Sequence, residues 1–158
     1  MPELPAAARR VESAARELGL AIAIKVMPNS TRTAAEAAAA VGTTVGQIVK
    51  SLVFKTAGSE QPVLFLVSGD NRLNEKAVGE RIGDTIVQAD ADFVRQVTGF
   101  AIGGIPPFGH ATRLRTYFDE NLLQYEIVWA AAGTPNCVFA IAPRALRGAA
   151  DAHPIPVK

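Results

Sequence analysis

The sequence predicts an α+β fold in which a largely antiparallel sheet, or a small barrel, carries helices on its outside. Three observations predict it. Short apolar runs of strand length recur along the chain, and two of them, Lys50–Lys55 and Pro62–Val67, are joined by the turn-like Ala57-Gly58-Ser59-Glu60, which is hairpin spacing. Helical periodicity is confined to short capped segments that do not alternate regularly with strands, as they would in a doubly wound parallel sheet. The 158 residues suffice for one hydrophobic core, and no repeat or low-complexity linker divides them, so residues 1–158 read as a single domain.

Leu4 to Leu18 is predicted as a helix: Ala7, Val11, Ala14, Ala15 and Leu18 recur at helical spacing, and Gly19 supplies the stop. Leu20 to Met27 alternates, placing Ile22, Ile24 and Val26 on one face of a strand. After the loop Pro28–Arg32, Thr33-Ala34-Ala35-Glu36 has the form of a capping box and opens an alanine-rich helix ending near Gly42. Thr44-Val45-Gly46-Gln47 repeats that pattern for a shorter helix toward Val49. Beyond the hairpin, Asn74–Ile82 and Asp90–Val97 read as helices, with a short strand, Thr85–Gln88, between them. Arg113–Phe118, Tyr125–Ala131 and Asn136–Ala142 supply three more strands, Pro143 opens a last helix to about Arg147, and His153–Val157 is an edge strand or tail.

Sixteen Lys and Arg against fifteen Asp and Glu leave a formal charge of +1. No global basic field advertises nucleic acid, so any RNA contact has to rest on a local patch. The lone Cys137 excludes an internal disulfide and fits a reducing cytosol. The first residues lack a cationic, apolar leader, and no apolar run is long enough for a bilayer, so a cytoplasmic protein with no membrane partner is expected. No metal is expected either: His110, His153 and Cys137 are the only soft or borderline ligands, and zinc-site spacings are absent. The glycine-rich phosphate-loop signatures are also missing, and no cofactor is implied.

The stretch least compatible with helix or strand is Thr98–His110, with four glycines and the adjacent Pro106 and Pro107. Glycine permits positive φ and close approach, while proline fixes φ and removes a donor. Such a loop either joins two elements tightly or presents its amides to a ligand. Lys50 shares a strand face with Leu52 and Phe54. Its ammonium therefore either sits on an apolar rim, suited to an anion or a developing oxyanion, or snorkels into solvent. Ser51 points to the opposite face, a poor geometry for a Ser–Lys dyad. Gly133-Thr134-Pro135-Asn136 is a turn between two strands. His110 stays open as a general base, a ligand-orienting donor or a structural residue. Cys137 alternates with Phe139 and Ile141, which favours a small core hydrophobe over a thiol nucleophile.

Four stretches, in this order and spacing, resemble the YbaK/EbsC family of aminoacyl-tRNA deacylases, which includes the editing domain inserted in bacterial prolyl-tRNA synthetases. They are Thr33–Ala38, Gln47–Phe54, Thr98–Phe100 leading into Gly103–His110, and Trp129–Asn136. The resemblance runs roughly from Ser30 to Arg147. It implies a mostly antiparallel, barrel-like core of six strands with surrounding helices. It also implies hydrolysis of the ester joining a wrong, small amino acid to the 3′ end of a tRNA, most often that for proline. The implied partners are the aminoacyl-tRNA 3′ end and a prolyl-tRNA synthetase. Lys50 falls on the family lysine near the substrate's terminal phosphate or adenosine. Gly104 and Gly133 fall on catalytic glycines whose amides steady the scissile carbonyl, and Thr33, Ser51, Gly103, Pro106, His110 and Ala132 lie in the substrate-binding motifs. The family has no obligatory side-chain nucleophile; water attacks, helped by the terminal ribose hydroxyl.

The chain also departs from the cysteine-specific branch. Pro106 stands where that branch tends to carry Ser, His110 replaces Gln or Met, and Ala131 lies near its Ser. Pro28-Asn29-Ser30 replaces its upstream aromatic residues. These departures count against cysteine specificity and leave alanine, serine, threonine or another small amino acid open, since an apolar pocket separates substrates by only about 1–3 kcal/mol per methylene. The alternative function is a non-catalytic module of the same fold that binds a nucleotide or RNA end.

Overall fold

Two sheets carry the fold of the computed structural model, which describes residues 3–158. The smaller is antiparallel, with β1 (Lys25–Val26), β7 (Cys137–Ile141) and β6 (Val128–Ala131) in that order. The larger runs β4 (Ile86–Gln88), β2 (Val49–Thr56), β3 (Pro62–Ser68), β5 (Arg115–Asp119), β8 (His153–Ile155). A single parallel bridge between Ile48 and Trp129 connects them. Around the sheets lie α1 (Ala6–Glu17), α2 (Ala34–Val41), α3 (Glu75–Ile82), α4 (Ala91–Thr98) and α5 (Pro143–Ala150).

The α+β class and the β2–β3 hairpin match the expectation. The strand set is larger than six, however, and β3–β5 and β5–β8 pair in parallel. A parallel pairing needs a crossover of a dozen or more residues. The α3–β4–α4 excursion and the Gly/Pro loop supply one between β3 and β5, and β6, β7 and α5 supply the other. That position between neighbours explains the unbroken apolar run of β3. Leu64 and Leu66 enter a core shared with Val49, Phe118 and Phe139, while Val63, Phe65 and Val67 enter a second one with Phe54, Val78 and Ile86.

Several boundaries move for local reasons. Of the expected strand Leu20–Met27, only Lys25–Val26 finds a partner, because β7 is its sole neighbour, yet Leu20, Ile22 and Ile24 still pack on the core. Thr33 builds its capping box as expected: its hydroxyl accepts from the Glu36 amide and Glu36 accepts from the Thr33 amide, both at 3.1 Å. The second box closes only a 3-10 turn, Val45–Gln47, because β2 begins two residues later. The Tyr125–Ala131 strand shortens to Val128–Ala131, after a 3-10 turn over Glu120–Gln124 that Asp119 caps through the Asn121 amide at 2.9 Å. Cys137 is fully buried beside Phe139 in the core. Among the described residues, no helix is long and apolar enough to cross a membrane.

Candidate functional site

Strand β2 is paired along Val49–Lys55 on its β3 side, but its other edge meets β4 only at Phe54–Thr56. Past the Ile48–Trp129 bridge that edge stands open, and a cavity of about 360 Å³ fills the gap. Its walls are Thr33, Ala34 and Ala37 of α2 and its cap, Ile48 to Leu52, the Gly/Pro loop residues Ile102, Gly103 and Ile105, and Trp129 to Ala131 with Val138. Sequence-distant straps hold these walls together. The Thr31 amide and hydroxyl both donate to the Pro135 carbonyl, at 2.6 and 3.0 Å. Met27 and Asn136 exchange two further bonds, Met27 N–H to the Asn136 carbonyl and Asn136 Nδ2 to the Met27 carbonyl, at 2.7 and 3.1 Å.

Lys50 lies on the cavity wall, half-buried, and its Nζ donates to the Asn71 carbonyl at 2.5 Å. Burial holds its pKa below the ordinary lysine value, and the charges of Asp119 and Asp70 push back. Asp119 is 1 % exposed and accepts from the Ser68 amide at 3.0 Å and from Asn71 Nδ2 at 2.7 Å, which fixes the turn that offers Lys50 its acceptor. Ser51 faces the other way, as expected. Its hydroxyl is buried and has no hydrogen-bond partner among the described residues, although the residue lines the same cavity.

Gly103 has φ +101°, and a Cβ there would stand 2.8 Å from Arg32 Nε, so the glycine seats the arginine against the loop. Its amide donates to no acceptor among the described residues. Gly104 and Gly133 are placed differently from the sequence expectation. The Gly133 amide donates to the Gly104 carbonyl at 2.9 Å and the Gly104 amide to the Ala101 carbonyl at 3.2 Å, so both donors are engaged inside the protein. A Cβ on Gly104 would meet the Thr134 backbone at 2.7 Å, and one on Gly133 would meet the Ala7 carbonyl oxygen of α1 at 2.7 Å. These two glycines let backbones close up behind the wall.

Pro106 and Ala132 are buried there too, outside the cavity lining. His110 sits on the far side of the loop, with Nε2 2.7 Å from the Pro106 carbonyl. A carbonyl only accepts, so Nε2 carries the proton. Burial lowers the His110 pKa, and the bond to Pro106 partly restores it. The structure therefore brings Thr33, Lys50, Ser51 and Gly103 to one cavity and leaves Gly104, Gly133, Pro106, His110 and Ala132 off its lining. Sequence reasoning missed Arg32, Trp129 and the Asp119–Asn71 pair. The signals available were that Trp129 is the only tryptophan of the chain and opens the stretch Trp129–Asn136.

Comparison with known proteins places this cavity in context. The family model described as "Aminoacyl-tRNA editing domain" matches residues 28–149, which include every wall of the cavity. The uncharacterized protein YwhH of Bacillus subtilis is 31% identical over 117 residues, 74% of each chain. A proline–tRNA ligase of Thermosipho africanus is 35% identical over 99 residues, which cover 62% of this chain and 17% of the ligase. A crystal structure of a candidate trans-editing enzyme for prolyl tRNA synthetase superposes with a TM-score of 0.93 at 47% identity, over 99% of both chains. A second crystal structure, of a hypothetical protein, gives 0.86 at 31% identity over 94% of this chain and 98% of that one.

Proposed function

The chain belongs to the aminoacyl-tRNA editing domain family, and from that premise we propose that it is a trans-editing hydrolase that removes a small, wrongly attached amino acid from tRNA, most readily the tRNA for proline. One observation carries the reading: a single apolar cavity joins a half-buried lysine, a buried unpaired hydroxyl and an open strand edge. An apolar pocket of this size takes a small side chain, while a desolvated ammonium and unpaired donors attract the polar ester and the phosphate beside it. Support for the prolyl assignment comes from the proline–tRNA ligases and the trans-editing candidate among its relatives.

In this reading the tRNA 3′ end enters over Lys50, whose ammonium holds the terminal phosphate or adenosine. Water adds to the ester carbonyl carbon, and the bond from that carbon to the ribose oxygen breaks. The ribose oxygen takes a proton, releasing the amino acid and a free tRNA end. The donors for the developing oxyanion are the Gly103 amide and the N–H groups on the unpaired edge of β2, where alternate residues direct their backbone groups toward the cavity. Gly104 and Gly133 serve by holding the wall that presents Gly103. Ser51 Oγ accepts from, or donates to, the polar part of the aminoacyl group.

The test is release of alanine, serine, threonine and cysteine from charged tRNA for proline by the wild type and Lys50→Ala. A hydrogen bond to a charged group is worth about 1.5–3 kcal/mol, so the variant loses at least about tenfold in kcat/KM with its circular dichroism unchanged. Full activity in Lys50→Ala overturns the role given to the lysine. Binding of charged tRNA by the wild type without release of any amino acid selects the non-catalytic RNA-end-binding module.

A further inference from the structure

The near-neutral net charge requires RNA binding to rest on a local patch, and the rim of the cavity holds one. Arg32 lines the rim between the α2 cap and the Gly/Pro loop, exposed, with its stem against Gly103. Its place is fixed by the neighbouring Thr31 strap to Pro135 and by the Ser30 hydroxyl, which accepts from the Arg32 amide at 3.2 Å. Lys25 stands across the small sheet. In the register of that sheet it pairs with Val138, which pairs in turn with Ala131, so all three lie on one face, and Val138 and Ala131 line the cavity. Lys25 Nζ sits 5.1 Å above the ring of Trp129, another cavity wall.

Neither cation has a carboxylate within 4.0 Å among the described residues. The nearest acid in sequence to Arg32, Glu36, is engaged in the capping box. Elsewhere on the surface arginines do find carboxylates, as Arg115 does with Asp84 at 2.7 Å and Arg113 with Asp151 at 3.2 Å. Two unneutralised cations, each seated on a wall of the same cavity, present a pair of positive charges to whatever enters it.

We propose that Arg32 and Lys25 form a two-point phosphate clamp that holds the single-stranded 3′ end of the RNA just before the nucleotide whose ester enters the cavity. The inference rests on the editing function proposed above and extends it to the substrate's backbone. The clamp reads charge and no base, so it contributes to affinity and leaves both the choice of amino acid and the chemical step alone. Each phosphate contact on a single strand releases counterions and steepens the fall of log K with log salt by about 0.7.

The experiment measures binding of an RNA acceptor-stem hairpin carrying amide-linked, non-hydrolysable alanine at its 3′ end, across a series of salt concentrations. Arg32→Ala and Lys25→Ala each flatten the slope by about 0.7 and the double variant by about 1.4, while Arg32→Lys keeps the wild-type slope. Lys76→Ala, an exposed cation on α3 away from the rim, is the control and changes nothing. In turnover with charged tRNA the double variant raises KM several-fold and keeps kcat. An unchanged slope in the double variant overturns the clamp, even where Lys50→Ala abolishes hydrolysis and so leaves the editing function standing. An unchanged slope combined with lost association with a prolyl-tRNA synthetase also overturns it and assigns the patch to a protein partner. Hydrolysis that survives Lys50→Ala counts instead against the lysine's role in the underlying function.

Discussion

Gly133→Ala separates a glycine that builds a wall from one that faces a ligand. Gly133 has φ +97°, and a Cβ there would stand 2.7 Å from the Ala7 carbonyl oxygen and 2.8 Å from its carbon, so α1 has to move away. An L side chain held at such a φ costs about 1–2 kcal/mol, and forcing atoms into a packed contact costs about 1–3 kcal/mol more. The sum, about 2–5 kcal/mol, is a large share of a domain stability on the order of 5–15 kcal/mol. At roughly 2–4 °C per kcal/mol for a chain of this length, Tm falls by about 4–20 °C. Gly104→Ala behaves alike, because its Cβ would meet the Thr134 backbone at 2.7–2.8 Å and open the Gly133–Gly104 hydrogen bond. Differential scanning calorimetry gives Tm, and deacylation is then assayed at a temperature where variant and wild type are both folded. If Gly133→Ala melts with the wild type yet loses deacylation, the glycine faces the substrate, and the assignment of its space to α1 is wrong.

Two further substitutions have opposite signatures in stability and function. Ser51→Ala removes a buried hydroxyl without a partner; such a group costs about 1–3 kcal/mol, so the variant melts higher than the wild type and has a lower kcat/KM, and a lower Tm at full activity would refute both halves. His110→Gln keeps a donor for the Pro106 carbonyl but does not titrate. Burial holds the folded-state pKa of His110 below its ordinary value of about 6.5, so the unfolded chain binds a proton that the folded one excludes. Stability therefore rises with pH through this window and is lost as pH falls from about 6.5 toward the folded value. Urea midpoints shift in favour of the variant between about pH 7.5 and pH 5, and a difference independent of pH would contradict the burial of the ring.

What was legible in the sequence follows the range of the interactions concerned. The face on which Lys50, Leu52 and Phe54 lie, the opposite orientation of Ser51, the burial of Cys137 and the Thr33 cap are all decided within a few residues, and periodicity reports them. The parallel pairing of β3 with β5 is decided by how a long crossover packs, and no local pattern encodes it. The Gly/Pro loop shows the same limit at the site. A glycine required because a helix or a second turn comes close looks, in sequence, like a glycine required because a ligand does. Gly104 and Gly133 are of the first kind and Gly103 borders the cavity. Arg32 and Lys25 escaped notice because no charge run marks them. Arg32 reaches the cavity lining, and Lys25 the ring of Trp129, only through straps that tie Met27 and Thr31 to residues more than a hundred positions away.

For the function proposed above, the placement of Lys50 next to Ser51 makes the open edge of β2 necessary. Consecutive residues of a strand point to opposite faces of the sheet, and inside a fully paired sheet no single ligand touches both, because the neighbouring strand stands between them. Here β3 closes one edge from Val49 to Lys55, but β4 arrives only at Phe54 and β6 departs after Ile48. In the proposed site a ligand at this edge meets the ammonium from one face and the backbone groups of Ser51 and Val53 from the side, with the serine hydroxyl buried behind them. Extending β4 by three residues, so that it reached Ser51, would pair those donors and divide the two side chains. The shortness of β4 is thus a condition for the proposed site, as much as any residue that lines it.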